Sequence, residues 1–315
     1  MPSSQSSSTG SAASTGSHAA GLIQRQHQRL EKLLPEVLRN EDPEALHQLR
    51  VSLRRLRTQL RQFAPALRLP RGVSERKLAR ITRVTGLSRD LDVLGERLAQ
   101  DLLPLLDPAH DGLVRGLQTE LRQRRRRAFR RLENVLTSEG TRTLLERLAG
   151  WLEAPDFTSL GQEPIGPWLP DWHGALVGGL FLEAGWHAQD PRDGSLHQLR
   201  KRLKGVRYGH ENLEAFLGEA GLRWIQHCRS AQEVLGELHD LQVLAAVLEG
   251  QVHRRTKPRH AITPLAQALE ERLGQCWGRW RSLAPTLLEP GRRRELQGLF
   301  LTPPPHTPSP EAIAP

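Results

Sequence analysis

Two stretches of this chain repeat each other at one offset. Leu46-His47-Gln48-Leu49-Arg50 recurs 150 residues later as Leu196-His197-Gln198-Leu199-Arg200. In the same register Leu53 and Arg57 return as Leu203 and Arg207, and Arg54 as Lys204. Further on, Asp90-Leu91-Asp92-Val93-Leu94 returns as Asp240-Leu241-Gln242-Val243-Leu244. Leu and Arg are common here, so a single match would mean little. Two separate blocks sharing one offset indicate internal duplication. A chain built this way is expected to form two like halves related by a pseudo-twofold axis, with equivalent helices able to face each other.

Residue types then select helix. β-branched and aromatic residues are sparse while Leu, Arg, Ala, Glu and Gln abound, so an all-α protein is expected. A Pro/Gly-rich linker at about 155–170 separates repeat one, about 21–153, from repeat two, about 171–301. Residues 1–20 and 302–315 read as disordered low-complexity tails. Asp42 as N-cap with Pro43 at the first helical position predicts a helix to about Phe63. Ser195 is expected to cap a second, running to about Leu217. Further helices are expected near 22–40, 74–86, 90–103, 112–136, 141–152, 172–188, 222–235, 238–253, 263–283 and 291–301.

Placed on a helix at about 100° per residue, His47, Arg50, Arg54, Arg57 and Arg61 fall in a sector about 80° wide, beside a leucine face. His197, Arg200, Lys204 and Arg207 do the same, with Tyr208 at the edge. Surface helices usually mix both signs, and like charges at these spacings destabilise an isolated helix by roughly 0.2–0.5 kcal/mol per pair. Acidic neighbours or a bound anion must offset that. Asp90 and Asp240 are available but too few to neutralise the rows. The net charge is +10, and because the tails contribute only Glu311 the part between them holds about +11, which suggests a polyanionic partner. Arginine suits phosphate because its planar fork donates two parallel hydrogen bonds and keeps its charge.

The two rows resemble the hallmark of the CHAD domain, a repeated helix that starts His-x-x-Arg and continues with basic residues: His47 to Arg57 in the first copy, His197 to Tyr208 in the second. The segments Ser88–Leu94 and Leu235–Asp240 are similar to its downstream blocks. Gly205, where a basic residue often follows, and His239, where Asn is usual, depart from the pattern. The resemblance implies two four-helix bundles related by pseudo-symmetry around a central basic channel. It also implies binding of inorganic polyphosphate there and association with polyphosphate granules. The expected ligand residues are His47, Arg50, Arg54, Arg57, Arg61, His197, Arg200, Lys204, Arg207 and Tyr208.

Further anion contacts could come from Arg25, Arg29, Lys77, Arg80, Arg83, Arg115, Arg122, Arg126, Lys201, Arg223 and His227. Arginine neighbours would repel a cation from His47 and His197, so neither metal nor cofactor is expected. A bound polyanion should instead raise the histidine pKa values and tighten binding below about pH 7. The chain contains no Walker A, GxSxG or HExxH sequence, and no alternating Glu/Lys strand, so no enzyme is expected. The alternative is a nucleic-acid-binding helical protein, but no recognition motif is present and aromatics are not interleaved with the arginines. Cys228 and Cys276 lie in no metal-ligand spacing, the N-terminus has no signal-peptide pattern, and no stretch is apolar enough to span a bilayer. A cytoplasmic location is expected; the sequence does not indicate the oligomeric state.

Overall fold

The computed structural model describes residues 13–102, 111–254 and 263–301 of the 315. The expected tails at 1–12 and 302–315 lie outside the described residues. Among those described, the regular structure is helical, and β pairing is confined to two isolated bridges, Ser14 with Pro164 and Leu67 with Phe157. The helices are α1 (Thr15–Arg39), α2 (Pro43–Gln62), α3 (Glu75–Arg97), α4 (Asp111–Leu136), α5 (Glu139–Glu153), α6 (Ser159–Gln162), α7 (Leu169–Val177), α8 (Gly194–Glu211), α9 (Glu219–Arg254), α10 (Thr263–Leu288) and α11 (Pro290–Gln297). α1 lies on α2, α2 on α3 and α3 on α4; α8 lies on α9 and α9 on α10. α2 and α8 meet between the halves.

α2 begins as its sequence requires. Asp42 accepts a hydrogen bond from the Glu44 amide at 2.8 Å, and Pro43 takes the first turn, where its missing N–H is not needed. α8 starts two residues earlier than expected, because Asp193 and not Ser195 is the cap, accepting from the Ser195 amide at 2.8 Å. It also ends at Glu211, short of Leu217. α1 begins at Thr15, inside the segment read as a tail. Ser14 caps it, Thr15 N–H donates to Glu163 O at 2.8 Å, and Ala19 is fully buried. Small residues that look like a linker here let a helix tuck against its neighbours.

Two expected interruptions are absent. The helices foreseen at 74–86 and 90–103 form one helix, α3, which runs on into a π-helical turn at Leu98–Leu102. Those foreseen at 222–235 and 238–253 likewise merge into α9. The expected breaks sit at Gly86 and Gly236, equivalent positions whose glycines serve close packing rather than termination. Conversely, the helix expected over 172–188 stops at Val177, where Gly178 and the left-handed Gly179 lead into short 3₁₀ turns. The segment 155–170 is no free connector: Ile165 is fully buried, and Thr158 and Ile165 hydrogen-bond to the backbone of Ala66 and Ala13.

The apolar residues form two clusters that do not divide at the linker. Leu46, Leu49, Leu53, Leu56 and Leu60 of α2 belong to the first cluster, which also takes in Trp172 and Leu213 from the second half. Leu91, Leu94 and Leu98, with Leu117 and Leu121 of α4, join the second, around Leu196, Leu199, Leu203 and Val206 of α8. Each buried leucine contributes about 1.5–3 kcal/mol. Each half therefore depends on the other for part of its core. The leucine faces of α2 and α8 anchor both helices with their basic rows turned away from the cores.

Candidate anion-binding site

Those rows line one cavity of about 780 Å³. Its wall includes His47, Arg50, Arg54, Thr58, Arg89 and Asp90, and, 150 residues on, their counterparts His197, Arg200, Lys204, Tyr208, His239 and Asp240. Val51 and Lys201, and Val93 and Val243, are further such pairs. Arg57, Arg61, Arg83 and Glu75 line it from the first half alone, as does Leu94, and Gly205 from the second.

Gly86 and Gly236 make the wall possible. A Cβ on Gly86 would come within 2.6 Å of Arg50 Nη1, and one on Gly236 would stand 3.6 Å from Arg200 Nε and Nη2. The two guanidinium groups thus lie against the backbones of α3 and α9. Gly205, where the CHAD pattern often has a basic residue, lies opposite Arg61, whose Nη2 would be 3.5 Å from a Cβ there.

The lining holds nine Lys/Arg side chains and three histidines against three carboxylates. Each carboxylate already has an arginine. Glu75 accepts from Arg57 Nε at 2.9 Å and Nη2 at 2.5 Å. Asp90 lies 3.5 Å from Arg50, and Asp240 lies 3.4 Å from Arg97. Arg54, Arg61, Arg83, Arg89, Arg200, Lys201 and Lys204 have no carboxylate within ion-pair distance among the described residues. Buried Nε atoms of Arg89 and Arg200 and Nδ1 of His197 lack hydrogen-bond partners.

The titration of these groups reflects that imbalance. Burial, reinforced by Arg54, Arg200, Arg50 and Arg207, pulls the Lys204 ammonium down to about 6. Burial and then Arg54 draw Arg50 down to about 10, with Asp90 opposing. His197 is pulled down to about 4 by burial and then by His239, whose ring centroid is 4.6 Å away. His47 is lowered by burial and then by Arg89, and His239 by burial and then by Arg200. Asp240 is raised by burial, against Arg97 and Arg200. Every basic shift runs against positive charge, as it must where cations crowd without anions.

Of the ten residues expected from the repeated rows, Arg207 is the exception. It does not line the cavity: its Nε lies 3.7 Å from Glu211, and its guanidinium covers the Tyr208 ring at 4.7 Å. Glu211 also holds Arg55 and Arg229, so three arginines of this corner share one internal carboxylate. Among the secondary candidates, Arg83 and Lys201 line the cavity. Arg25, Arg29 and Arg115 are exposed elsewhere, and Arg80 is exposed outside the lining about one helical turn from Arg83. Lys77 lies in a different pocket beside Arg147. Arg122 and Arg126 line a third, of about 490 Å³, with Arg125, which pairs with Asp92 at 2.9 Å. Arg223 is paired with Glu295 at 2.8 Å, and His227 contacts Arg292 at 3.2 Å. Arg89 and His239 were missed as lining residues, although both sit beside the repeated aspartates.

Among the described residues no group of three or more His, Cys, Asp or Glu is placed to hold a metal ion. None of the described helices is long and apolar enough to cross a membrane.

Two solved structures share the fold. The CHAD domain from the plant Ricinus communis superposes with a TM-score of 0.61 at 20% identity, covering 94% of this chain and 96% of that one. PptA from Streptomyces chartreusis superposes with a TM-score of 0.63 at 17% identity, covering 87% and 99%. An uncharacterized protein of Mycobacterium tuberculosis (strain CDC 1551 / Oshkosh) is 28% identical over 190 residues. That match takes in 58% of this chain but only 37% of the relative's length. The family model for the CHAD domain matches residues 21–249, which include both basic helices and both aspartate blocks. This chain belongs to the CHAD domain family.

Proposed function

We propose that this protein binds inorganic polyphosphate without catalysing its turnover. The facing His/Arg/Lys rows of α2 and α8, set in pseudo-twofold halves around a central basic channel, would grip successive phosphates. One observation carries the reading: seven cationic side chains border a single cavity with no carboxylate of their own among the described residues. A chain of phosphates supplies closely spaced acceptors, each able to take charge-assisted hydrogen bonds from an arginine fork. The lining carboxylates are already engaged by arginines, which favours binding over metal-assisted hydrolysis. The same contacts would hold the protein on polyphosphate granules.

Nucleic acid fits the cavity less well. A space of about 780 Å³ cannot admit a duplex. A single strand would need faces for base stacking, yet Tyr208 is the one Phe, Tyr or Trp in the lining and Arg207 covers its ring. Labelled long-chain polyphosphate competed against DNA, RNA and ATP at physiological salt tests the assignment. Polyphosphate should prevail, with no phosphate released. Displacement by DNA or RNA at equal phosphate concentration would refute it.

Gly86→Ala gives a sharper check. Its methyl group would push the Arg50 guanidinium out of its niche, while helix propensity favours alanine by about 1 kcal/mol. Polyphosphate affinity should fall about tenfold, the equivalent of one charge-assisted bond, with little loss of thermal stability. Gly236→Ala, which only reaches ordinary contact distance, should stay within about twofold of wild type. Equal effects in the two variants would argue against this account of the Arg50 niche.

A further inference from the structure

The two flanks of the cavity are not equivalent. On α3, Arg83 lines the wall, and Arg80 and Arg76 follow it on the same helical side. The three fall within about 60° and span about 10 Å along the axis. All are exposed, and none has a carboxylate within ion-pair distance among the described residues. Their helix starts beside the C-terminal end of α2, where Glu75 meets Arg57 and Arg61 joins the lining. On α9 the equivalent positions are Gln226, Ser230 and Glu233. The residue equivalent to Arg61 is Glu211, which pairs with the row's last arginine, Arg207, and also with Arg55 and Arg229. One flank thus carries arginines without carboxylates, while on the other the arginines Arg223 and Arg229 are paired with Glu219, Glu295 and Glu211.

We propose that Arg83, Arg80 and Arg76 form an exit track along α3, holding the part of a polyphosphate chain that extends beyond the cavity. The polymer then leaves over the first half and not over the second. This rests on the polyphosphate reading and adds to it a second contact region with a direction. Phosphates lying on exposed arginines are held mainly through counterion release, so the track matters most at low salt.

The experiment compares inorganic tripolyphosphate, short enough to stay inside the cavity, with long-chain polyphosphate. Arg76→Gln/Arg80→Gln should leave the Kd for tripolyphosphate within about twofold and weaken long-chain binding about tenfold. The log–log salt slope for the long chain should flatten by about 1.4, at about 0.7 for each phosphate no longer neutralised, by analogy with single-stranded nucleic acid. Arg25→Gln/Arg29→Gln removes the same charge from exposed positions outside the cavity and should retain the wild-type advantage of long over short chains. The track is overturned if the α3 double variant keeps that advantage, if it loses both ligands equally, or if the control pair loses as much. Should the wild type bind neither anion, the polyphosphate reading itself fails, an outcome separate from these three.

Discussion

Lys204→Met is expected to weaken polyphosphate binding by about 10- to 100-fold while making the unliganded protein more stable. The two effects share one cause. Lys204 is largely buried, the charges acting on it are those of four arginines, and no carboxylate pairs with it among the described residues. In the empty protein its charge is a liability, which is why its pKa is pulled down to about 6. Methionine fills similar volume without charge and should add about 1–4 kcal/mol to apo stability, the range seen when buried ionic groups give way to packed apolar ones.

The linkage fixes the pH signature. Between about 6 and the ordinary value of 10.5, the unfolded chain carries the lysine proton and the folded protein does not. Wild-type stability should therefore rise with pH through that window, by up to about 1.4 kcal/mol per unit. The variant should lose that component. Urea denaturation of both proteins between about pH 6 and 9 measures the difference. A Lys204→Met protein that is less stable than wild type at neutral pH, or that binds polyphosphate unchanged, removes Lys204 from the site.

Much of this site could be read from residue spacing, for a physical reason. Positions 47, 50, 54, 57 and 61 define a face by helical geometry alone, and the leucines at 46, 49, 53, 56 and 60 say which way it turns. The matching row 150 residues on lines the same cavity. What spacing cannot supply is the fate of a charge in three dimensions. Arg207 continues the second row perfectly, yet Glu211, one helical turn on, claims it. Arg89 and His239 enter the cavity from α3 and α9, whose rotation depends on how closely Gly86 and Gly236 approach Arg50 and Arg200. Those glycines looked like helix ends because glycine inside a helix is costly unless something needs the space. The fold class was legible from composition. The sharing of core residues between halves was not, since Leu91 and Leu94 show the same periodicity whichever core receives them.

Polyphosphate binding should also tighten as pH falls from about 8 to 6, with uptake of close to one proton. The sequence pointed to histidine as the sensor, but His197, pulled down to about 4, stays neutral through most of that range. Lys204, at about 6, is the group poised to change. The charges around it are Arg50, Arg54, Arg200 and Arg207, all repelling its proton, while Asp90 and Asp240 attend arginines instead. A phosphate chain among them reverses the local potential and restores the ammonium. The interior phosphates of a long chain keep their single charge throughout, so the proton must come to the protein. One proton taken up corresponds to about a tenfold fall in Kd per pH unit. That steepness should flatten as the pH approaches 6, where Lys204 is already half protonated before binding; at lower pH His47 and His239 would begin to contribute. Titration calorimetry in buffers of different ionisation enthalpy counts the proton directly. Lys204→Arg carries a permanent charge in nearly the same place. It should bind at least as tightly as wild type near pH 8 and take up no proton at that position. An equal Kd for the wild type at both ends of this range, or undiminished proton uptake by Lys204→Arg, would show that the lysine is not the group recharged by the anion.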